Sequence, residues 1–156
     1  MGVADKTSTV GLALRIGAGV LRERVGPSIA LTGPDTVPPS AEAMTASWLT
    51  SVLCQEVKGA SVVGFEILGG SDGTSSRRQV LVTYNDAGSA AGLPTRLFTK
   101  STPSFFSRML LGLTDIAEGE ATFYNRVRPG LELRSPQSFY AGYDPKTTEA
   151  SRSSRT

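Results

Sequence analysis

The chain has 156 residues, of which 39% are hydrophobic and 19% are charged, and its formal net charge is +2. This length suits one domain with a hydrophobic core, and the small net charge, with no block of like charges, argues against nucleic-acid binding. The chain contains no histidine, which excludes serine–histidine triads and most zinc sites. Its single cysteine, Cys54, excludes an intrachain disulfide.

The N-terminal segment is apolar but interrupted by charge. Arg15 and the Arg22–Arg24 cluster divide residues 10–31 into runs far shorter than the roughly 20 residues that a membrane-spanning helix needs. Arg15 also falls where a signal peptide would need an unbroken apolar core. Residues 1–32 are therefore predicted to form a peripheral helical segment of a cytoplasmic protein without a membrane partner, followed by a proline-rich linker at 33–40.

The main domain is predicted to occupy residues 41–144. Ser40 is a candidate N-cap, and the segment after it has apolar residues at helical spacing. From Ala60 onward the apolar residues alternate, which predicts two strands joined by a loop, and a third strand follows at Thr95–Lys100. A helix that begins near Asp115 and a fourth strand, SPQSFYAGYD, complete the domain.

This order of elements predicts an α+β fold. We expect a mainly antiparallel sheet of about four to five strands, with a helix packed on one face and further helices at the N terminus. Short connections favour pairing between strands that are neighbours in the sequence. Residues 145–156, PKTTEASRSSRT, contain no residue suited to a core and are predicted to be disordered.

The loop between the first two strands, GGSDGTSS at residues 69–76, is rich in glycine and hydroxyl residues. It matches neither the P-loop nor the dinucleotide-binding pattern, because it leads into a strand rather than a helix. Asp72–Gly73 suits a tight turn, so a hairpin turn without further function is the favoured interpretation of the loop taken alone.

Two charged residues of opposite sign stand out on consecutive elements. Lys100 ends an apolar strand, and Glu120 lies within an apolar helical stripe that is predicted to face the core. Taken singly, each side chain could simply extend to solvent, as lysine and glutamate usually do. Taken together, the two opposite charges predict an ion pair. That pair would point the lysine at the phosphates of a nucleotide beneath the hairpin. The apolar stripe consists of Leu113, Ile116, Ala117, Tyr124 and Val127.

Four segments together resemble a known family. They are GGSDGTSSRRQVLVTYN, LPTRLFTK, EGEATFYNRVRP and SPQSFYAGYD, and the region they span runs from about Trp48 to Asp144. In combination they resemble the N-terminal lobe of the aminoglycoside phosphotransferase and choline-kinase-like superfamily, which has a protein-kinase-like fold. The strongest element is Lys100 combined with Glu120 and the aromatic pair Phe123–Tyr124.

The resemblance implies a nucleotide site. Lys100 would bind the phosphates, Glu120 would be its ion-pair partner, and the ligand would be ATP or GTP with Mg²⁺. The loop would contribute backbone N–H groups and hydroxyls to the phosphate oxygens. The loop residues assigned to phosphate binding are Gly70, Ser71, Asp72, Gly73, Thr74, Ser75 and Ser76.

The chain also departs from the family. The catalytic loop, with a histidine-containing motif, and the metal-binding aspartate belong to a C-terminal lobe, and these 156 residues hold neither. We therefore expect a truncated, catalytically incomplete N-lobe, with the C-terminal catalytic lobe encoded separately or lost. The alternative is a non-catalytic α+β interaction module with a structural Lys100–Glu120 pair. Nucleic-acid binding through Arg152 and Arg155 has only a few charges in its favour.

Overall fold

The computed structural model describes residues 3–25, 31, 33–102, 104–114, 116–131, 138–144 and 149–155. The helices are α1 (Val3–Val25), α2 (Ala46–Leu53), α3 (Asp86–Ala90), α4 (Phe105–Leu113) and α5 (Ile116–Thr122). The strands are β1 (Val62–Asp72), β2 (Ser76–Tyr84), β3 (Arg96–Ser101), β4 (Ser138–Asp144) and β5 (Glu149–Arg155). Within the described part of the chain, no helix is long and apolar enough to cross a membrane.

The strands form one antiparallel sheet in the order β1-β2-β3-β5-β4. The predicted α+β class with a sheet of four to five strands is confirmed. The first three strands pair in sequence order, as expected, but the expected pairing of β3 with β4 is wrong because β5 lies between them.

The prediction of disorder for residues 145–156 is wrong for Glu149–Arg155, which form β5. Ladder hydrogen bonds are made by the backbone, so a strand flanked on both sides needs no large apolar side chains to be held. Ser151, Ser153 and Ser154 are buried in this strand, where small hydroxyl side chains fit between neighbours. Residues 145–148 and 156 lie outside the described residues.

The two faces of the sheet differ in character. Val80 and Leu97 are cross-strand partners and are both buried in the hydrophobic core, on a face that we call the core face. Lys100 and Arg152 are also cross-strand partners and lie on the opposite face, which we call the site face, because side chains alternate along β3. Helix α2 packs on the core face, and α5 packs against β4 and β5.

Helix α2 begins later than the sequence predicts. Ser40 precedes a single 3₁₀ turn, Ala41–Ala43, and α2 itself begins at Ala46, after the N-cap Thr45. The Thr45 hydroxyl accepts a hydrogen bond from the backbone N–H of Trp48 at 3.1 Å. The buried residues of α2 are Trp48, Leu49, Val52 and Leu53.

Trp48 ties three parts of the domain together. Its side chain is 1% exposed, and its indole Nε1 donates to the carbonyl of Thr36 at 3.0 Å. The ring of Tyr140 in β4 meets the indole edge to face, with 5.0 Å between ring centres. Residues 33–40, predicted as a linker, are thereby fastened to both α2 and the sheet.

Helix α4 was not predicted. Ser104 caps it, with its hydroxyl accepting from the N–H of Ser107 at 3.0 Å. Arg108 of this helix is fully buried and donates from Nε to the carbonyl of Thr102 at 2.8 Å, which fixes α4 to the end of β3. Helix α1 packs against α4 and buries Ile16.

We expect Tyr84 to make the fold less stable as the pH rises into the alkaline range. Burial, with a smaller contribution from Cys54, raises the pKa of Tyr84 to about 12, and its hydroxyl donates to the carbonyl of Pro94 at 2.9 Å. Because the folded pKa exceeds the unfolded value near 10, this stabilisation is complete below pH 10 and is lost as the pH rises towards 12.

Urea unfolding between pH 8 and 12 measures this effect. The free energy of unfolding of the wild type should fall by about 1–2 kcal/mol more than that of Tyr84→Phe, which has no titrating group at this position. Equal pH dependence in the two proteins would contradict the assignment.

Candidate functional site

The hairpin predicted from the sequence is present. Strands β1 and β2 pair from Val62 to Asp72, and residues 73–75 form the turn. Gly70 is required in β1 because a Cβ atom there would lie 1.8 Å from the carbonyl oxygen of Arg77. The glycine in this position therefore has a structural role in the hairpin.

The hairpin residues assigned to phosphate binding fall into two groups. Ser75 and Ser76 are buried, at 6% and 7% exposure, and Ser76 is the cross-strand partner of Ser101. Their hydroxyls lie inside the fold and are not presented to a ligand in solution. The exposed group, at the tip of the hairpin, consists of Gly70, Ser71, Asp72, Gly73 and Thr74.

Arg78, which the sequence analysis did not single out, neutralises the carboxylate at the hairpin tip. Its Nη1 lies 2.9 Å from Oδ1 of Asp72, and its Nε lies 3.1 Å from Oε1 of Glu42. Hydrogen bonds from Arg78 and Ser76 hold the pKa of Asp72 below its usual range. Burial raises the pKa of Glu42, but hydrogen bonds from its own backbone, Ser40 and Arg78 outweigh that effect and lower it overall.

The predicted ion pair between β3 and α5 is also present. Lys100 Nζ lies 2.6 Å from Glu120 Oε2, and the two side chains are 27% and 29% exposed. This partial burial means that each charge is only partly solvated, which strengthens their attraction. The pair fastens α5 to the site face of the sheet.

The apolar stripe that contains Glu120 does not face the core as predicted. Leu113, Ile116 and Val127 are 54%, 55% and 46% exposed. The prediction assumed one continuous helix, whereas Leu113 belongs to α4 and Val127 follows α5 in a π-helical turn, Phe123–Val127. Because each interruption changes the angle at which later side chains project, a stripe counted along the sequence does not remain on one face.

Arg152 joins the pair from β5. It is the cross-strand partner of Lys100, and its Nε lies 3.9 Å from Oε1 of Glu120. The guanidinium carbon lies 4.2 Å from the ring centre of Tyr124, a cation–π contact. Sequence reasoning considered Arg152 only for nucleic-acid binding, because a segment predicted to be disordered gave no reason to place it beside Lys100.

A small cavity of about 20 Å³ opens beside these groups. It is bordered by Lys100, Glu120 and Arg152, together with Thr102 and Ser151, and the rest of its lining is Leu111, alanines and a glycine. Lys100 and Arg152 share the single carboxylate of Glu120, so the net charge of these three groups is positive and favours an anion. A larger groove of about 410 Å³ at the end of α2 contains none of the residues predicted for the site.

The site offers donors for anion binding. Across the described ranges, no group of three or more histidine, cysteine, aspartate or glutamate residues is placed to hold a metal ion. Lys100 and Arg152 both offer charged hydrogen-bond donors. Comparison of the chain with protein-family models, curated proteins and solved structures finds no match.

Proposed function

We propose that the chain is the nucleotide-binding N-lobe of a cytoplasmic small-molecule phosphotransferase, of the aminoglycoside phosphotransferase-like family. It binds ATP or GTP with Mg²⁺, and Lys100 contacts the phosphates. The observation that carries this proposal is the 2.6 Å ion pair between Lys100 and Glu120. Protein kinases hold their phosphate-binding lysine in the same way, on the third strand and paired with a glutamate of the following helix.

The position of the hairpin supports the proposal. Ser76 pairs with Ser101, so the turn at residues 73–75 extends beyond the end of β3 that carries Lys100. The tip is exposed at Gly73 and Thr74, and the Asp72 charge is offset by Arg78. A polyphosphate beside Lys100 would therefore meet this tip without an uncompensated negative charge.

Phosphoryl transfer requires more than this lobe supplies. A catalytic base orients the acceptor hydroxyl, and carboxylate or amide ligands hold Mg²⁺ against the phosphates. We assign neither role to a residue of the described part of the chain. The partner implied by the proposal is a C-terminal catalytic lobe that provides both.

Thermal unfolding with Mg-ATP and Mg-GTP tests the proposal. At a nucleotide concentration tenfold above the dissociation constant, the midpoint should rise by roughly 3–6 °C, because the ligand binds only the folded state. Lys100→Met should lose this rise, since the phosphates lose their cation. Lys58→Met is the matched control, because Lys58 is an exposed lysine in the turn before β1, and it should keep the full rise.

The absence of any rise with either nucleotide at millimolar concentration would contradict the proposal. It would favour the second candidate, a non-catalytic interaction module in which Lys100 and Glu120 are a structural pair. One observation favours that module: large apolar side chains are exposed along α4 and α5. They are Phe105, Phe106, Leu110, Leu113 and Ile116.

A further inference from the structure

Arg152 lies in a row of basic residues that crosses the sheet. In the ladders, Arg77 pairs with Lys100, and Lys100 pairs with Arg152. Directly opposed residues of antiparallel strands project from the same face, so all three side chains start from the site face. Arg77 is exposed, whereas the Arg152 side chain is only 14% exposed and borders the cavity beside Lys100.

The carboxylate in this row does not satisfy Arg152. Glu120 places one oxygen 2.6 Å from Lys100, within hydrogen-bond distance. Its other oxygen lies 3.9 Å from Arg152 Nε, which is an ion pair but too long for a hydrogen bond. The Nε atom is buried and has no hydrogen-bond partner within the described part of the chain. A buried charged donor without an acceptor costs free energy, so an anionic oxygen brought to this guanidinium would be stabilising.

The guanidinium is also held in place before any ligand arrives. Its carbon lies 4.2 Å from the Tyr124 ring centre, and β5 is flanked by strands on both sides. An arginine stacked on an aromatic ring keeps its planar donors in a fixed orientation, which suits recognition of phosphate oxygens. The cavity of about 20 Å³, which Arg152 and Lys100 both border, has room for one oxygen-sized atom.

We propose that Arg152 is a second anion-binding residue of this site, and that it takes one phosphoryl oxygen of the polyphosphate of a nucleoside triphosphate. That oxygen enters the cavity and accepts hydrogen bonds from the Arg152 guanidinium and Lys100 Nζ. Glu120 then balances one of the two cations and the phosphate balances the other. The identity of the ligand rests on the proposed function, whereas the anion site itself rests on the geometry of Arg152.

Titration calorimetry of the full chain with sodium tripolyphosphate and with Mg-ATP tests this inference. Arg152→Gln should weaken both ligands about tenfold or more, as expected for loss of a hydrogen bond to a charged group. The affinities of Arg152→Lys for both ligands should lie between those of Arg152→Gln and the wild type, because lysine keeps the charge but lacks the planar donor group. Arg77→Gln removes the same charge from the exposed end of the row and should change both affinities by less than about threefold.

A measurement on the wild type avoids dependence on the folding of a variant. The Nε–H resonance of Arg152 should shift in ¹H–¹⁵N spectra as tripolyphosphate is added, while that of Arg77 stays nearly constant. An unchanged Arg152 resonance at saturating ligand overturns the inference whether or not Arg152→Gln folds.

The outcomes separate the two proposals. Binding of Mg-ATP that depends on Lys100 but not on Arg152 overturns the inference and leaves the proposed function standing. A second outcome is that tripolyphosphate binding depends on Arg152 while Mg-ATP binds no more tightly than tripolyphosphate. This outcome supports the anion site and contradicts the nucleotide assignment. Failure of the wild type to bind either ligand overturns both.

Discussion

A chain shortened to end at Asp144 is expected not to fold. The deletion removes β5, which pairs with β3 from Leu97 to Ser101 on one side and with β4 on the other. Without it, β4 has no partner in the sheet and β3 becomes an exposed edge. On the order of ten ladder hydrogen bonds at about 1 kcal/mol each are lost, which is comparable with the whole stability of a domain.

Far-ultraviolet circular dichroism and amide dispersion in ¹H–¹⁵N spectra measure this outcome. The shortened chain should give the spectra of an unfolded or molten chain. A chain that lacks only Thr156, beyond the end of β5, is the matched control and should unfold at the wild-type temperature. A cooperative transition in the shortened chain, with an unchanged midpoint, would show that β5 is dispensable.

Replacing Trp48 with alanine should lower the free energy of unfolding by about 3–5 kcal/mol. The indole is 1% exposed and occupies the junction between α2, the 33–40 segment and β4. Alanine leaves a cavity there and removes both the ring contact with Tyr140 and the hydrogen bond to Thr36. Urea unfolding followed by circular dichroism measures the loss. Tryptophan fluorescence does not serve here, because Trp48 is the only tryptophan and the variant lacks it.

Trp48→Phe separates packing from hydrogen bonding. Phenylalanine keeps an aromatic ring against Tyr140 but has no N–H to donate. The carbonyl of Thr36 still accepts from the Tyr140 hydroxyl at 3.3 Å, so it is not left unsatisfied. We expect a loss of about 1–2 kcal/mol for this variant. A loss as large as that of the alanine variant would mean that the hydrogen bond, rather than the packing, holds the junction.

Local residue patterns predicted several elements of the fold. Alternating apolar residues predicted the hairpin and β3, helical spacing predicted the apolar face of α2, and Asp72–Gly73 marked the turn. The Lys100–Glu120 pair was also predicted, from two opposite charges at unusual positions on a strand and a later helix, although the stripe that contains Glu120 does not face the core. These signals depend on side chains close to one another in the chain.

Long-range contacts set how the outer parts of the site are assembled. Strand β5 has little apolar signal, and its place between β3 and β4 comes from backbone hydrogen bonds over a long sequence separation. Arg152 reaches Lys100 through that pairing alone, and Arg78 reaches Glu42 across 36 residues. Breaks between α4, α5 and the π-helical turn likewise set which apolar residues face solvent. Each of these depends on non-local contacts, which residue patterns along one chain do not encode.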